Sequence, residues 1–150
     1  MALMVRSAGD VDIDRLVLFG QALARETEGR ELDRKTLKAG VEAVFAEPAR
    51  GQYFVAQKAG DVVGQAMVTY EWSDWRNGNI WWLQSVYVSK HHRREGVYRG
   101  LHEYVRSLAH DEKAVGLRLY VERDNESAQQ AYSAMGMQAS EYLMYEEIWS

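Results

Sequence analysis

The chain contains no cysteine, which removes disulfide frames, thiolate metal sites and cysteine nucleophiles together. It has one proline, Pro48, and only 12 glycines, so neither a fibrous repeat nor a low-complexity linker is present. Long apolar runs are missing as well. Arg6, Asp10, Asp12, Asp14 and Arg15 interrupt the first 30 residues. Neither a signal peptide nor a membrane span is therefore expected, and the cytoplasm is the expected compartment. Positive charge is not in excess, since 18 Lys+Arg against 22 Asp+Glu give a net charge of −4. That balance argues against a nucleic-acid partner, which would need a surplus of Lys and Arg. What remains is 150 residues, 47% hydrophobic, enough for one globular domain over 1–150.

The apolar period divides the chain. Leu3 to Ser7 fits a first strand. Asp10 or Asp12 caps a helix carrying Ile13, Leu16, Val17, Leu23 and Ala24 on its apolar side, and Gly29 breaks it. Asp33 caps a second helix with Leu37, Val41, Val44 and Phe45, closed by Pro48. Tyr53–Ala56 and Val62–Val68 read as two strands joined near Gly60-Asp61, and Asn77-Gly78 turns the chain into a third, Ile80–Val88. A helix from about Gly96 to His110, a strand Leu117–Val121, a helix Glu126–Met135 and a last strand near Tyr142–Glu146 complete the order. The fold class expected is α+β: a mixed, mostly antiparallel central sheet flanked by helices.

Charge is uneven. Between Lys90 and Gly100, four cations (Lys90, Arg93, Arg94, Arg99) face Glu95 alone, a local +3 that leaves −7 for the rest of the chain. The island lies between a strong strand and a helix start, where unpaired N–H groups and the positive end of a helix dipole meet. Such a junction holds a phosphate or pyrophosphate, with Gly96 allowing close approach of the backbone, although a solvated loop has the same composition.

The segment Val86-Tyr87-Val88-(x)4-Arg93-x-x-Gly96-x-Tyr98-Arg99-x-Leu101 resembles the acetyl-CoA-binding motif of the GNAT family of N-acetyltransferases. Asn125-Glu126-Ser127-Ala128-(x)3-Tyr132-(x)3-Gly136-Met137 is similar to the family's second signature, in the right order and at the right distance. Tyr98 stands where the family has Gly or Ala, and Met137 where it has Phe. The resemblance implies a GNAT-like sheet splayed between its fourth and fifth strands. It also implies acetyl-CoA as co-substrate, held by backbone groups of Val86, Tyr87 and Val88, by Arg93, Arg94, Glu95, Gly96, Val97, Tyr98, Arg99 and Gly100, and by Asn125 and Ala128. The acceptor implied is a primary amine, either of a polyamine-like or amino-acid-like small molecule or of a free amino terminus, attacking the thioester directly. Tyr132 would protonate the leaving CoA thiolate or hold it by a hydrogen bond, and an N–H near Tyr87 would face the oxyanion.

The base is less defined. Where many relatives carry a Glu on the strand before the loop, this chain reads Trp82-Leu83-Gln84-Ser85, and Gln84 cannot accept a proton. Glu71 is the nearest carboxylate by sequence, acting through water or standing as a solvated strand end. Trp72, Trp75, Trp81 and Trp82 either wall an acceptor pocket or serve a core or dimer contact. Glu26, Glu28, Glu31 and Asp33 form an acidic cluster able to meet a cationic substrate, with Glu28, Trp72, Trp75 and Gln84 the substrate candidates. The layout from Glu71 to Gly78 is also similar to the diamine acetyltransferase branch. The adjacent His91 and His92 on a loop point apart, and His102 and His110 lack a carboxylate partner at ligand spacing, so no metal is expected. A homodimer is expected, because relatives commonly pair. The competing readings are a non-catalytic acyl-CoA-binding module and an RNA-binding sheet.

Overall fold

A computed structural model describes residues 2–150, which form two compact units, the first running through Leu119 and the second comprising Tyr120–Ser150. In the first unit, strands β1 (Leu3–Ser7), β2 (Gln52–Lys58), β3 (Asp61–Ser73), β4 (Gly78–Val88) and β5 (Gly116–Arg118) make one sheet in sequence order. All neighbours are antiparallel except β4 and β5, which are parallel. Helices α1 (Ile13–Glu28) and α2 (Arg34–Ala46) follow β1, and α3 (Val97–Asp111) connects β4 to β5.

Local chemistry sets the helix ends. Asp33 Oδ2 accepts from Thr36 N at 3.0 Å and caps α2, while Gly29 closes α1 in the left-handed region at φ 63°. Arg6 of β1 forks onto buried Asp12 at 2.8 and 3.0 Å, tying the first strand to the start of α1.

Each face of the sheet carries its own apolar cluster. Phe54, Ala56, Val63, Ala66, Val68, Trp81 and Leu83 pack against Val97, Leu101, Val105 and Ala109 of α3. On the other face Tyr53 and Val55 meet Leu16 and Val17 of α1 and Val41 and Val44 of α2. Strand β2 is thus buried on both sides, the alternation of Tyr53-Phe54-Val55-Ala56 assigning successive residues to opposite clusters. Gly64 lets α3 approach closely, since a Cβ there would lie 2.8 Å from Val97 Cγ1.

Two expectations are corrected. The strand expected over Leu117–Val121 is only Gly116–Arg118, paired with Ile80, Trp81 and Trp82. The strand expected at Tyr142–Glu146 does not form. Tyr142, Leu143, Met144 and Tyr145 are apolar enough for one but are exposed and join no ladder, and composition without a hydrogen-bonded neighbour does not make a strand. In the second unit the ordered element is α4 (Glu126–Ala134), capped by Asn125 Oδ1 accepting from Ala128 N at 3.2 Å. Gly136, at φ 91°, ends it with Met137 N donating to Tyr132 O. No helix among the described residues is long and apolar enough to cross a membrane.

On α3, His102 is fully buried between Tyr98 Oη, 2.6 Å from Nδ1, and Arg106 Nη2, 3.1 Å from Nε2. A guanidinium only donates, so Nε2 is the acceptor and Nδ1–H donates to Tyr98. Burial, with the Arg106 charge adding to it, lowers the His102 pKa to about 4. An imidazole with a depressed folded-state pKa gives stability that is fully present above its unfolded value and lost as pH falls toward the folded one. Wild-type stability should therefore drop by roughly 3 kcal/mol between about pH 6.5 and 4 through this group alone. Denaturant melts of His102→Gln against wild type across that range should show the difference slope vanish in the variant.

Candidate active site

Strand β4 carries one residue more than its neighbour can pair. Gln65 faces Tyr87 and Met67 faces Gln84, so Ser85 and Val86 stand opposite Ala66 alone, a β-bulge with Ser85 at φ 49°. Buried Gln65 braces it, Nε2 donating to Ser85 O at 3.0 Å. On the other edge, β5 leaves β4 after the Trp82–Arg118 pair, while β4 runs on to Val88. The sheet splays there, and from Leu83 to Val88 no strand among the described residues pairs with that edge.

Past the splay comes the basic loop. Arg94 and Gly96 are both left-handed, at φ 64° and 82°. The first intrahelical bond of α3 is Gly100 N to Gly96 O at 3.0 Å, so Val97, Tyr98 and Arg99 form the first turn ahead of it, at the positive end of the helix dipole. The side chains on either side of Arg94 are tied down. Arg93 donates from Nε to Val88 O at 3.0 Å and from Nη2 to Glu26 Oε1 at 2.7 Å, and lies over the Tyr87 ring. Glu95 accepts from Lys58 Nζ at 2.7 Å and neighbours His92 Nδ1 at 3.2 Å. Arg99 lies 3.9 Å from Glu103, and Arg94 makes no ion pair among the described residues. Gly100 is a packing position, since a Cβ there would meet Leu3 at 2.6 Å.

Glu26, in the last turn of α1, has its second oxygen 2.6 Å from the hydroxyl of buried Tyr87. Burial pulls its pKa up, but the hydrogen bonds from Tyr87 and Arg93 hold it below the usual carboxylate value. Burial and the Glu26 charge raise that of Tyr87. Sequence reasoning placed Glu26 only within an acidic cluster. The structure separates its members: Glu31 pairs with Arg25 at 2.7 Å, Asp33 caps α2, and Glu28 lies 3.7 Å from Arg30 at the surface.

On the face of the sheet that carries α1 and α2, half-buried polar side chains line β3, β4 and β5. Glu71 accepts from Trp82 Nε1 at 2.8 Å and from Arg118 Nη1 at 3.0 and 3.1 Å, and Gln84 Nε2 donates to Thr69 Oγ1 at 2.6 Å. Trp82 and Arg118 keep the Glu71 pKa low, so this carboxylate is ionised at neutral pH and a weak base. Trp72 and Trp75 are exposed near the β3–β4 turn, so a core role is corrected for both, whereas Trp81 lies in the core. In the second unit Asn125 and Ala128 form the α4 cap described above, and burial raises the Tyr132 pKa, keeping the hydroxyl protonated. No group of three or more His, Asp or Glu among the described residues is placed to hold a metal ion.

A profile of the acetyltransferase (GNAT) family matches residues 20–137. The chain belongs to the GNAT family. As a GNAT protein it is an acetyl-CoA-dependent N-acetyltransferase. No curated protein matches it. Among solved structures it is similar to a "possible acetyltransferase" from Clostridium difficile 630, at 43% identity and TM-score 0.91, covering 100% of this chain and 99% of that one. A "predicted acetyltransferase with acetyl-CoA" from Clostridium acetobutylicum shares the fold at 16% identity and TM-score 0.81, covering 97% and 96%. So does a ribosomal-protein-alanine N-acetyltransferase from Brucella melitensis biovar Abortus 2308, at 16% and 0.79, covering 99% and 100%.

The Gln65 brace ties the bulge of this GNAT sheet to β3. Gln65→Leu keeps the volume but takes the donor from the half-buried Ser85 carbonyl, so it should cost about 1–3 kcal/mol in a urea melt. It should also weaken acetyl-CoA binding measured by calorimetry, whereas the exposed control Trp75→Ala should change stability by less than about 0.5 kcal/mol.

Proposed function

We propose that the chain transfers an acetyl group from acetyl-CoA to the primary amine of a small molecule, by direct attack on the thioester. The observation that carries this reading is the unpaired edge of β4 leading into a loop whose flanking side chains are already anchored. Val86, Tyr87 and Val88 offer main-chain groups to the amides of the pantetheine arm, as an added strand would. The loop amides from Arg94 to Arg99 and the Arg94 side chain take the pyrophosphate, with Asn125 and Ala128 assigned to the same co-substrate by the family motif.

The amine nitrogen forms a bond to the carbonyl carbon as the C–S bond breaks, and the Tyr87 N–H is the proposed donor to the oxygen that gains charge. Tyr132 supplies a proton or a hydrogen bond to the departing sulfur. The ammonium proton leaves to water, with Glu71 as the acceptor beyond it. Because Arg118 already matches Glu71, that carboxylate is held in an ion pair and is not free to meet a polycation, which disfavours a polyamine. In this reading all 150 residues serve one domain, acting without metal in the cytoplasm as a homodimer, with no nucleic-acid or membrane partner. Glu28, Gln84, Trp72 and Trp75 are the proposed acceptor contacts.

Thermal melts with acetyl-CoA, desulfo-CoA, ADP and ATP test the co-substrate. Ligand at a hundredfold excess over Kd adds about 2.7 kcal/mol, so both CoA compounds should raise the midpoint clearly and ATP little. No shift with either CoA compound at millimolar concentration overturns the assignment. Thiol release across amino acids, their amides and polyamines then tests the chemistry, and Tyr132→Phe should lower kcat on the order of 100-fold. CoA binding without release on any amine supports the non-catalytic module instead.

A further inference from the structure

Arg93 opens the phosphate motif, where a free cation for the ligand is the simplest reading. Its guanidinium is instead committed to the protein on three sides: Val88 O at 3.0 Å, Glu26 Oε1 at 2.7 Å and the Tyr87 ring at 5.5 Å from its centroid. The opposite oxygen of Glu26 takes the Tyr87 hydroxyl at 2.6 Å, and the Tyr87 ring rests on Phe19 of α1 at 5.1 Å. One carboxylate therefore joins three elements: the last turn of α1, the strand immediately past the bulge, and the loop at Arg93. Two residues on, Glu95 makes the second anchor through Lys58 and His92. Arg94 is held between them in a left-handed conformation that a residue with a Cβ adopts only when its neighbours impose it.

We propose that Glu26 is a positioning residue of the co-substrate site, fixing Arg93 and Tyr87 so that the loop amides and the end of β4 are set before the ligand arrives. The inference rests on the acetyl-CoA assignment above and adds a residue that the family motifs do not contain. It also predicts a sign. A carboxylate beside an anion site repels the ligand's phosphates, so simple electrostatics has its removal tighten binding. Positioning has the same removal loosen binding, because the ligand must then order the loop itself.

The test is the Kd of desulfo-CoA and the steady-state constants for wild type, Glu26→Gln, Arg93→Lys, Arg93→Gln and the double variant Glu26→Gln/Arg93→Gln. Positioning predicts about a tenfold rise in Kd and in KM for acetyl-CoA in Glu26→Gln, with kcat within about threefold. Arg93→Lys keeps the charge but loses the fork, and should fall with Arg93→Gln. The double variant should be no worse than the weaker single one, as expected of two groups acting as a unit. Should Glu26→Gln fail to fold, Tyr87→Phe removes one hydroxyl only and should still raise Kd about threefold. Unchanged or tighter binding in Glu26→Gln, or full affinity in Arg93→Lys beside a loss in Arg93→Gln, overturns the proposal and leaves the co-substrate assignment standing. A wild-type protein that binds no CoA compound overturns both.

Discussion

One extra residue in β4 determines what the rest of the site can be. Before the bulge, Trp81 and Leu83 point into the α3 cluster, and unbroken alternation would send residues 85 and 87 the same way. With Ser85 and Val86 sharing one partner, the phase changes. Val86 and Val88 then pack on the α3 side, while Tyr87 turns to α1, where Phe19 and Glu26 receive it. The bulge thus keeps both cores apolar and delivers a hydroxyl to the opposite face. The same irregularity stands beside the point where β5 leaves, so the strand's free main-chain groups lie next to the loop that follows it. Unpaired edge groups demand partners, and an extended ligand bearing amides supplies them.

The basic island is less basic than its composition. Glu26 offsets Arg93 and Arg99 has Glu103 at longer range, while Lys58 takes up Glu95 and returns one positive charge. Beside its main-chain N–H groups the loop carries Lys90 and Arg94, which make no ion pair among the described residues. Fixed dipoles of this kind need little reorganisation when an anion binds, whereas long flexible cations lose rotamer freedom on each contact. A site of this kind needs no excess of positive charge over the whole chain, whose net charge is −4.

The legible parts of the fold were those set by neighbours in sequence. The α1 and α2 boundaries follow from Asp33 and Gly29, the β3–β4 turn from Asn77-Gly78, and the loop from the spacing of Arg93, Gly96 and Leu101. The illegible parts depend on partners far along the chain. Nothing near Ser85 marks a left-handed residue, since no glycine stands there, and the bulge exists only relative to Gln65 and Met67. Glu26 and Arg93 are 67 positions apart. Gln65 looked like any strand residue until burial required a use for its amide. The missing last strand is the converse case, where Tyr142 to Tyr145 carry the composition without a ladder to join.

The two faces of the same strands are under different constraints. Toward α3 each side chain fills space, and a change of volume is felt through the whole cluster. Toward α1 and α2, Thr69, Glu71, Trp82, Gln84 and Arg118 are half-buried and satisfy one another, so exchanging a matched pair there leaves the core intact. Side-chain chemistry is therefore free to change along that strip. The bulge and the Glu26–Tyr87–Arg93 junction are not, because each holds main chain in a conformation that it would not take alone.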